Sequence, residues 1–370
     1  MNIYLDNAAT TKIDEKVLSL LNKSLREDWG NPSSLYKKGK EAKEKIENAR
    51  KVIAKTLNAK PKEIIFTSGA TESNTLAIRG ILGVSRKKEI LISAMEHASI
   101  KNLCHELQKE KYIVHKIPVN KKGEINIKVL KEKLTKNIAL VSMIHANNET
   151  GGIQDIQKIA DLCAQKNIPF HTDAVQSYKK IPLDLEKMKC TALSISAHKI
   201  HGPKAIAALY LREGTKIKAL FYGGKQEQAL RPGTENIPYI LAFAAAAQLP
   251  YPSKQIKHKK EYLLKRIQEI PDIKVNTPQK SIPSILNVSI RGIDAEILVK
   301  HLSHKGICIS TGSACTSGAI EASHVLKAMQ LSEEEARASI RISLSKYTTK
   351  KEIDETIKHL KSIAHIIRKL

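Results

Sequence analysis

The sequence predicts an α/β protein: a mostly parallel central sheet with helices on both faces, plus a smaller α+β domain. Two observations carry that prediction. Short apolar, β-prone runs alternate with helical patterns as far as about residue 250, and such alternation is the signature of a parallel sheet built from crossover connections. After Leu249 the texture changes. Pro250-Tyr251-Pro252 interrupts the chain, and a basic helix, a strand-like run and a long amphipathic helix follow. We therefore expect a large domain over 13–250 and a small one made of 1–12 and 251–370.

The elements follow in order. Residues 1–12 are polar and extended in character, and the side chains of Asn7-Ala8-Ala9-Thr10-Thr11 are small enough to lie against other backbone. A helix is expected over 14–27, and a loop at Gly30-Asn31-Pro32-Ser33-Ser34. From 40 to 57 the apolar positions Ala42, Ile46, Ala49, Ile53 and Leu57 recur at helical spacing. Residues 63–67 read as a strand that runs through Ser68-Gly69-Ala70-Thr71 into a helix bearing Leu76, Ile78 and Ile81. Further strands are expected at 89–93, 138–144, 168–172, 191–196 and 206–211, with a helix over 154–166. In the second domain a helix is expected over 254–269, a strand over 284–290 and a helix from Asp294. Ser332 with Glu335 and Thr349 with Glu352 fit the capping-box pattern, and the last helix aligns Ile353, Ile357, Leu360, Ala364 and Ile367.

Composition narrows the function classes. With 370 residues at 42% hydrophobic the chain builds a sizeable core, and no apolar run approaches membrane-spanning length. The start, MNIYLDNAATTK, has neither a basic n-region nor an apolar h-region, which predicts a cytoplasmic protein. The five cysteines are odd in number and form no CxxC pair, which argues against a disulfide framework or structural zinc; no metal site is expected. The net charge of +25 arises from 62 Lys+Arg against 37 Asp+Glu, and such a field attracts anions. Aromatics are only 4% and interleave no basic patch, so the lysines read as solvated faces and direct nucleic-acid binding is not expected.

Four features sit at carboxyl ends of the expected strands, where open α/β sheets bind ligands. Ser68-Gly69-Ala70-Thr71 offers small residues and a helix N-terminus, suited to a phosphate; a simple N-cap by Ser68 or Thr71 is the plainer account. His97 follows a strand and is placed to stack on a planar ring or move protons, although a structural histidine reads the same way. Asp173 ends an apolar strand and needs a partner; a pyridinium N–H or a buried cation would serve, and Gln176 lies one turn on. Lys199 stands at the end of TALSIS, beside Ser196 and His198. A lysine there is either the start of a surface loop or a desolvated amine able to form a Schiff base. Taken together, the four are the parts needed to hold pyridoxal phosphate.

The chain resembles the class V, fold-type I pyridoxal phosphate enzymes, and within them the cysteine desulfurases of the NifS/IscS type. The resemblance rests on YLDNAATT (4–11), GNPSS (30–34), TSGATESN (67–74), Glu96-His97, HANNETGG (145–152), HTDAVQS (171–177), SISAHKIHGPK (194–204), RPGTEN (231–236), STGSACTSG (310–318) and SIRISL (339–344). It implies that Lys199 carries the cofactor as a Schiff base, that Asp173 pairs with the pyridine nitrogen, and that Gln176 contacts the phenolic oxygen. It implies that His97 stacks on the ring and assists proton transfer, and that Ala70, Thr71, Ser196 and His198 bind the phosphate. Thr234 would add a phosphate contact from the other subunit of a homodimer. Asn148 would lie beside the cofactor and help hold the substrate, L-cysteine, whose carboxylate Arg341 would clamp.

Cys315 has small, polar neighbours, unlike a packing cysteine, and the resemblance makes it the residue that takes sulfur as a persulfide and passes it to an acceptor such as an iron–sulfur scaffold or a tRNA-thiolation relay. Lys225 stands where the family usually has glycine, Gln228 and Ala229 where arginine and glycine are common, Tyr36 where histidine is frequent, and Ser345-Lys346 where Gly-Arg is usual. Two other readings stay open at this point. One is a selenocysteine lyase or another class V enzyme; the other is a non-enzymatic basic protein that binds RNA or a scaffold.

Overall fold

The computed structural model describes residues 2–311 and 322–368. A seven-stranded sheet runs in the order Ile64–Thr67, Ala207–Leu211, Ala192–Ser196, Phe170–Asp173, Ile138–Ile144, Glu89–Ser93, Ile113–Ile117. All neighbours pair in parallel except Ala207–Leu211, which is antiparallel to both of its own. Every residue of Ile138–Ile144 is buried, as expected of a strand covered on both faces, and for that reason its sequence is a continuous apolar run. Val141 and Met143 join the core that holds helices Lys37–Leu57 and Ile156–Gln165, while Ala139 and Leu140 join the core of Ala70–Val84 and Ala98–Lys109.

Helix Lys37–Leu57 buries the expected stripe of Ala42, Ile46, Ala49, Ile53 and Leu57, and Asn58 ends it in the left-handed conformation at φ 51°. The strand expected at 168–172 is instead Phe170–Asp173. Pro169 has no N–H to give a ladder, so pairing begins after it. Helix Ile237–Gln248 gives no amphipathic signal, because it is apolar nearly all round and packs between Glu15–Glu27 and Lys37–Leu57. The edge strand Ile113–Ile117 mixes exposed and buried residues and is equally silent in the sequence.

Beyond residue 250 a four-stranded antiparallel sheet is ordered Ser310–Thr311, Ser339–Ser343, Ile285–Ile290, Ile273–Val275. Helices Ser253–Ile267, Ala295–His304 and Lys350–Ile367 share its core through residues such as Ile256, Leu298 and Ile357. Ile3 and Leu5 enter the same core, and Ile3–Tyr4 pairs in parallel with Ile307–Cys308. Both capping boxes form, at Ser332 with Glu335 and at Thr349 with Glu352. Among the described residues no helix is long and apolar enough to cross a membrane.

Candidate active site

Strands Ile64–Thr67, Phe170–Asp173 and Ala192–Ser196 point the same way, so their carboxyl ends share one edge of the large sheet. A single 3-10 turn, Ala197–Lys199, follows the last of them and carries the lysine. Lys199 Nζ donates to the carbonyls of Ala8 and Ala9, each at 2.6 Å. The small side chains of that N-terminal stretch permit this approach. Thr11 fastens the rest: its N–H and hydroxyl both donate to the His198 carbonyl, at 3.0 and 2.9 Å, and its hydroxyl accepts from the His201 N–H at 2.8 Å.

Asp173 is buried, and its two oxygens accept separately: Oδ1 from the Val175 N–H and Oδ2 from Asn74 Nδ2, both at 3.0 Å. Asn74 projects from helix Ala70–Val84, one turn after the helix begins, and also donates to Ser99 Oγ at 3.0 Å. That helix has Gly69 at its N-cap and no side chain capping it. Ser68 does not fill the role, because its N–H and hydroxyl both turn to Glu72. A side-chain carbon at Gly69 would meet nothing within 4 Å, so uncapped N–H groups beside Ala70 and Thr71 front an open space suited to an anion.

His97 is the N-cap of helix Ala98–Lys109, where its Nδ1 accepts from the Ser99 N–H at 3.1 Å. A backbone N–H only donates, so Nδ1 holds a lone pair and the ring's proton sits on Nε2. Burial lowers its pKa, Asp173 opposes that and Lys199 adds to it, leaving a neutral imidazole. Glu96 next to it is buried and accepts from the Ile144 N–H at 2.7 Å, and burial raises its pKa well above the usual carboxylate range. Ser196 is buried at its strand end. His198 Nδ1 lies 3.2 Å from Thr10 Oγ1, and burial with Lys199 close by pushes its pKa down to about 3.

Gln176 is buried; its Nε2 donates to the Ala8 carbonyl at 2.8 Å and its Oε1 accepts from Lys180 Nζ at 2.9 Å. Arg341 is buried on strand Ser339–Ser343, with Nη2 on Asp6 Oδ1 at 2.7 Å and Nη1 on the Asn148 carbonyl at 3.0 Å. Its Nε is buried with no partner among the described residues. Asn148 therefore reaches the site through its backbone. Thr234 is exposed on the loop before helix Ile237–Gln248, and its side chain makes no hydrogen bond among the described residues.

Cys315 lies outside the described residues. The chain leads toward it from Ser310, which pairs with Arg341 in the small sheet, and is described again from Ala322. There Ser323 Oγ donates to Glu149 Oε2 at 2.5 Å. Lys225 is exposed, and Gln228 and Ala229 take positive φ of 61° and 60°. The loop is anchored instead by buried Glu227, which pairs with Arg50 at 2.7 Å and accepts from the Phe66 N–H at 2.8 Å. Among the described residues no group of side chains forms a metal site.

Sequence reasoning assigned no role to Asn74, Asp6, Glu96 or Lys180. Asn74 had a signal, since it stands one helical turn from the anion cup. Asp6 and Arg341 meet across 335 positions of sequence, and nothing local announces that pairing.

A strand-end lysine, a buried carboxylate held by two donors and an uncapped helix N-terminus over open space, on this sheet, define a pyridoxal phosphate enzyme of fold type I. Residues 3–356 match the family described as Aminotransferase class-V. The chain is 40% identical to a protein of Dictyoglomus turgidum named cysteine desulfurase IscS, over 99% of this chain and 95% of that one. Among solved structures it is similar to a NifS-like protein, with TM-score 0.93 and 35% identity, covering 99% of this chain and 100% of the other. It is also similar to SspA in complex with cysteine, with TM-score 0.86 and 35% identity, covering 94% and 100%. The chain belongs to the cysteine desulfurases of the class-V aminotransferase family.

Proposed function

We propose that the protein is a pyridoxal phosphate-dependent cysteine desulfurase that converts L-cysteine to L-alanine and transfers the sulfur to Cys315 as a persulfide. The observation that carries this reading is that Lys199 and the doubly held Asp173 end neighbouring strands of the large sheet, while Arg341 is tied through Asp6 to the same N-terminal strap that receives Lys199. The donor set fits the cofactor: an amine, a carboxylate for a ring N–H, and an open anion cup at Gly69. When bound, pyridoxal phosphate supplies a sink for the electron pair of the substrate's Cα–H bond.

The chain's own residues do the rest. Lys199 attaches the cofactor and is aimed by the Ala8 and Ala9 carbonyls. Asp173 takes the ring N–H and Gln176 the phenolic oxygen. Ala70, Thr71, Ser196 and His198 receive the phosphate, with Thr234 contributed across a homodimer interface. His97, neutral, stacks on the ring and holds a proton at Nε2. Arg341 takes the substrate carboxylate on the edge that Asp6 and Asn148 leave unused. In the transfer Cα gives up its proton, the substrate's Cβ–S bond breaks as an S–S bond forms at the Cys315 thiolate, and Cβ gains one proton and Cα regains one to complete alanine. No external oxidant or reductant enters.

The persulfide then serves a sulfur acceptor such as an iron–sulfur scaffold or a tRNA-thiolation relay, in the cytoplasm. We read 13–250 as the cofactor-binding domain, and 1–12 with 251–370 as the domain bearing the cysteine loop; the core that joins Ile3 and Leu5 to Ile256, Leu298 and Ile357 supports that division, while Ala322, Val325, Leu326, Met329 and Ala336 pack into the large core. Mass analysis after adding L-cysteine is expected to show one extra sulfur on Cys315 and alanine released. Cys315→Ala is expected to keep the cofactor's colour and lose sulfur transfer. Full turnover of L-cysteine by that variant would overturn the mechanism in favour of another class-V activity.

A further inference from the structure

We propose that Lys180 is a positioning residue for the cofactor: it fixes the Gln176 amide so that N–H, and not the carbonyl, is presented to the cofactor's phenolic oxygen. The inference rests on the pyridoxal phosphate reading above. Lys180 follows strand Phe170–Asp173 and is only 4% exposed. The segment is pinned, because the Lys180 carbonyl accepts from Ser253 Oγ at 2.8 Å. A buried ammonium ordinarily sits against a carboxylate. Here no carboxylate pairs with it among the described residues, and its Nζ donates to Gln176 Oε1 at 2.9 Å. An apolar side chain would pack such a position at lower cost, so the charge needs a reason.

The reason lies in the amide. A glutamine side chain is nearly symmetrical in shape and can present either end. With Oε1 turned to Lys180, Nε2 is the end left facing the site, where it donates to the Ala8 carbonyl at 2.8 Å. The same carbonyl accepts from Lys199 Nζ at 2.6 Å. A continuous series of hydrogen bonds therefore joins Lys180, Gln176, Ala8 and Lys199, and a cation at one end makes the amide a stronger donor at the other.

The surroundings agree. The titratable and charged groups that interact with Lys180 are Lys199, Arg341, His198 and His201, and none of them is an anion. Asp6 is already paired with Arg341. Burial, with Lys199 and Arg341 near, pushes Lys180 down to about 7. A phenolate reached through Gln176 supplies the negative charge this cluster lacks.

Spectrophotometric titration of the cofactor-loaded protein tests this. In Lys180→Met the dissociation constant for pyridoxal phosphate is expected to rise about tenfold. The pH midpoint of the cofactor's long-wavelength band is expected to move up, since a phenolate without its donor holds the neighbouring proton more tightly. Lys180→Arg should restore both values. In a Gln176→Ala background Lys180→Met should add nothing, because the lysine acts through the amide. Gln176→Glu gives the buried lysine a carboxylate, and so keeps the fold, yet removes the N–H; it should move the midpoint up alone. An unchanged midpoint in Lys180→Met and Gln176→Glu, or additive effects in the double variant, would overturn the proposal. A parent protein that takes up no pyridoxal phosphate would instead overturn the enzyme reading.

Discussion

Single side chains here are set by burial more than by charge pairing. Glu149 is the clearest case. It is buried, bonded to Ser323 and near Arg341, and burial pushes its carboxyl up to about 7. Its folded pKa lies above the unfolded value, so the native state keeps a proton that the unfolded chain gives up; stability from this group is full below about pH 4.5 and falls until about pH 7. Glu149→Gln copies the protonated form and can still accept from Ser323. Chemical denaturation should find it more stable than the parent by up to about 3 kcal/mol at pH 8, and no different near pH 4; equal stabilities at pH 8 would count against a buried charge. Lys199 and Asp173 were legible in the sequence because each ends an apolar strand, where a charged residue is out of place. Asp6 was not, because its partner Arg341 meets it only where the chain crosses itself; Asn74 carried a signal in its place one turn from the cup, and Lys180 meets Gln176 only through the shape of the turn between them.

At the scale of elements, the N-terminus of helix Ala70–Val84 opens on space that no side chain among the described residues fills. Gly69 is extended, and a methyl group there would touch nothing within 4 Å. The side chain is therefore absent for a ligand and not for the fold. Gly69→Ala should melt within about 2 °C of the parent, given that no contact is lost or strained, while binding pyridoxal phosphate about tenfold more weakly as the methyl crowds the phosphate. A melting point that falls with affinity unchanged would reverse that assignment. The sequence shows this helix well, because its apolar residues recur at helical spacing. It hides helix Ile237–Gln248, since an element wrapped on all sides has no polar face to set its period. The N-terminal segment was legible only as small side chains. Its role as a strap over Lys199 depends on the fold of residues far away.

Across the whole molecule, many ionisable groups are buried in their neutral forms. Burial lowers His145, His171 and His201 to about 4 and His198 to about 3. A histidine so depressed stabilises the fold above its unfolded pKa near 6.5, and that contribution is lost as pH falls toward 4. Glu96 and Glu149 act in the opposite sense but are fewer. The cofactor-free protein should therefore lose melting temperature steadily between pH 6.5 and 4, and a flat profile in differential scanning calorimetry would show that these histidines are not held neutral. The central sheet was readable because its strands are buried on both faces. The parallel pairing of Ile3–Tyr4 with Ile307–Cys308 was not, since neither run is long enough to show a pattern.

That pairing also sets a schedule. The residues that aim Lys199 leave the ribosome some 300 residues ahead of the strand that pairs with their segment. At about 5–20 residues per second the opening segment waits tens of seconds for its partner. The large sheet can form in that interval, but the pairing that anchors the segment bearing the lysine's two carbonyl acceptors waits for residues 307–308, so a nascent chain stalled before residue 307 should carry a folded sheet and an incompletely anchored cofactor pocket.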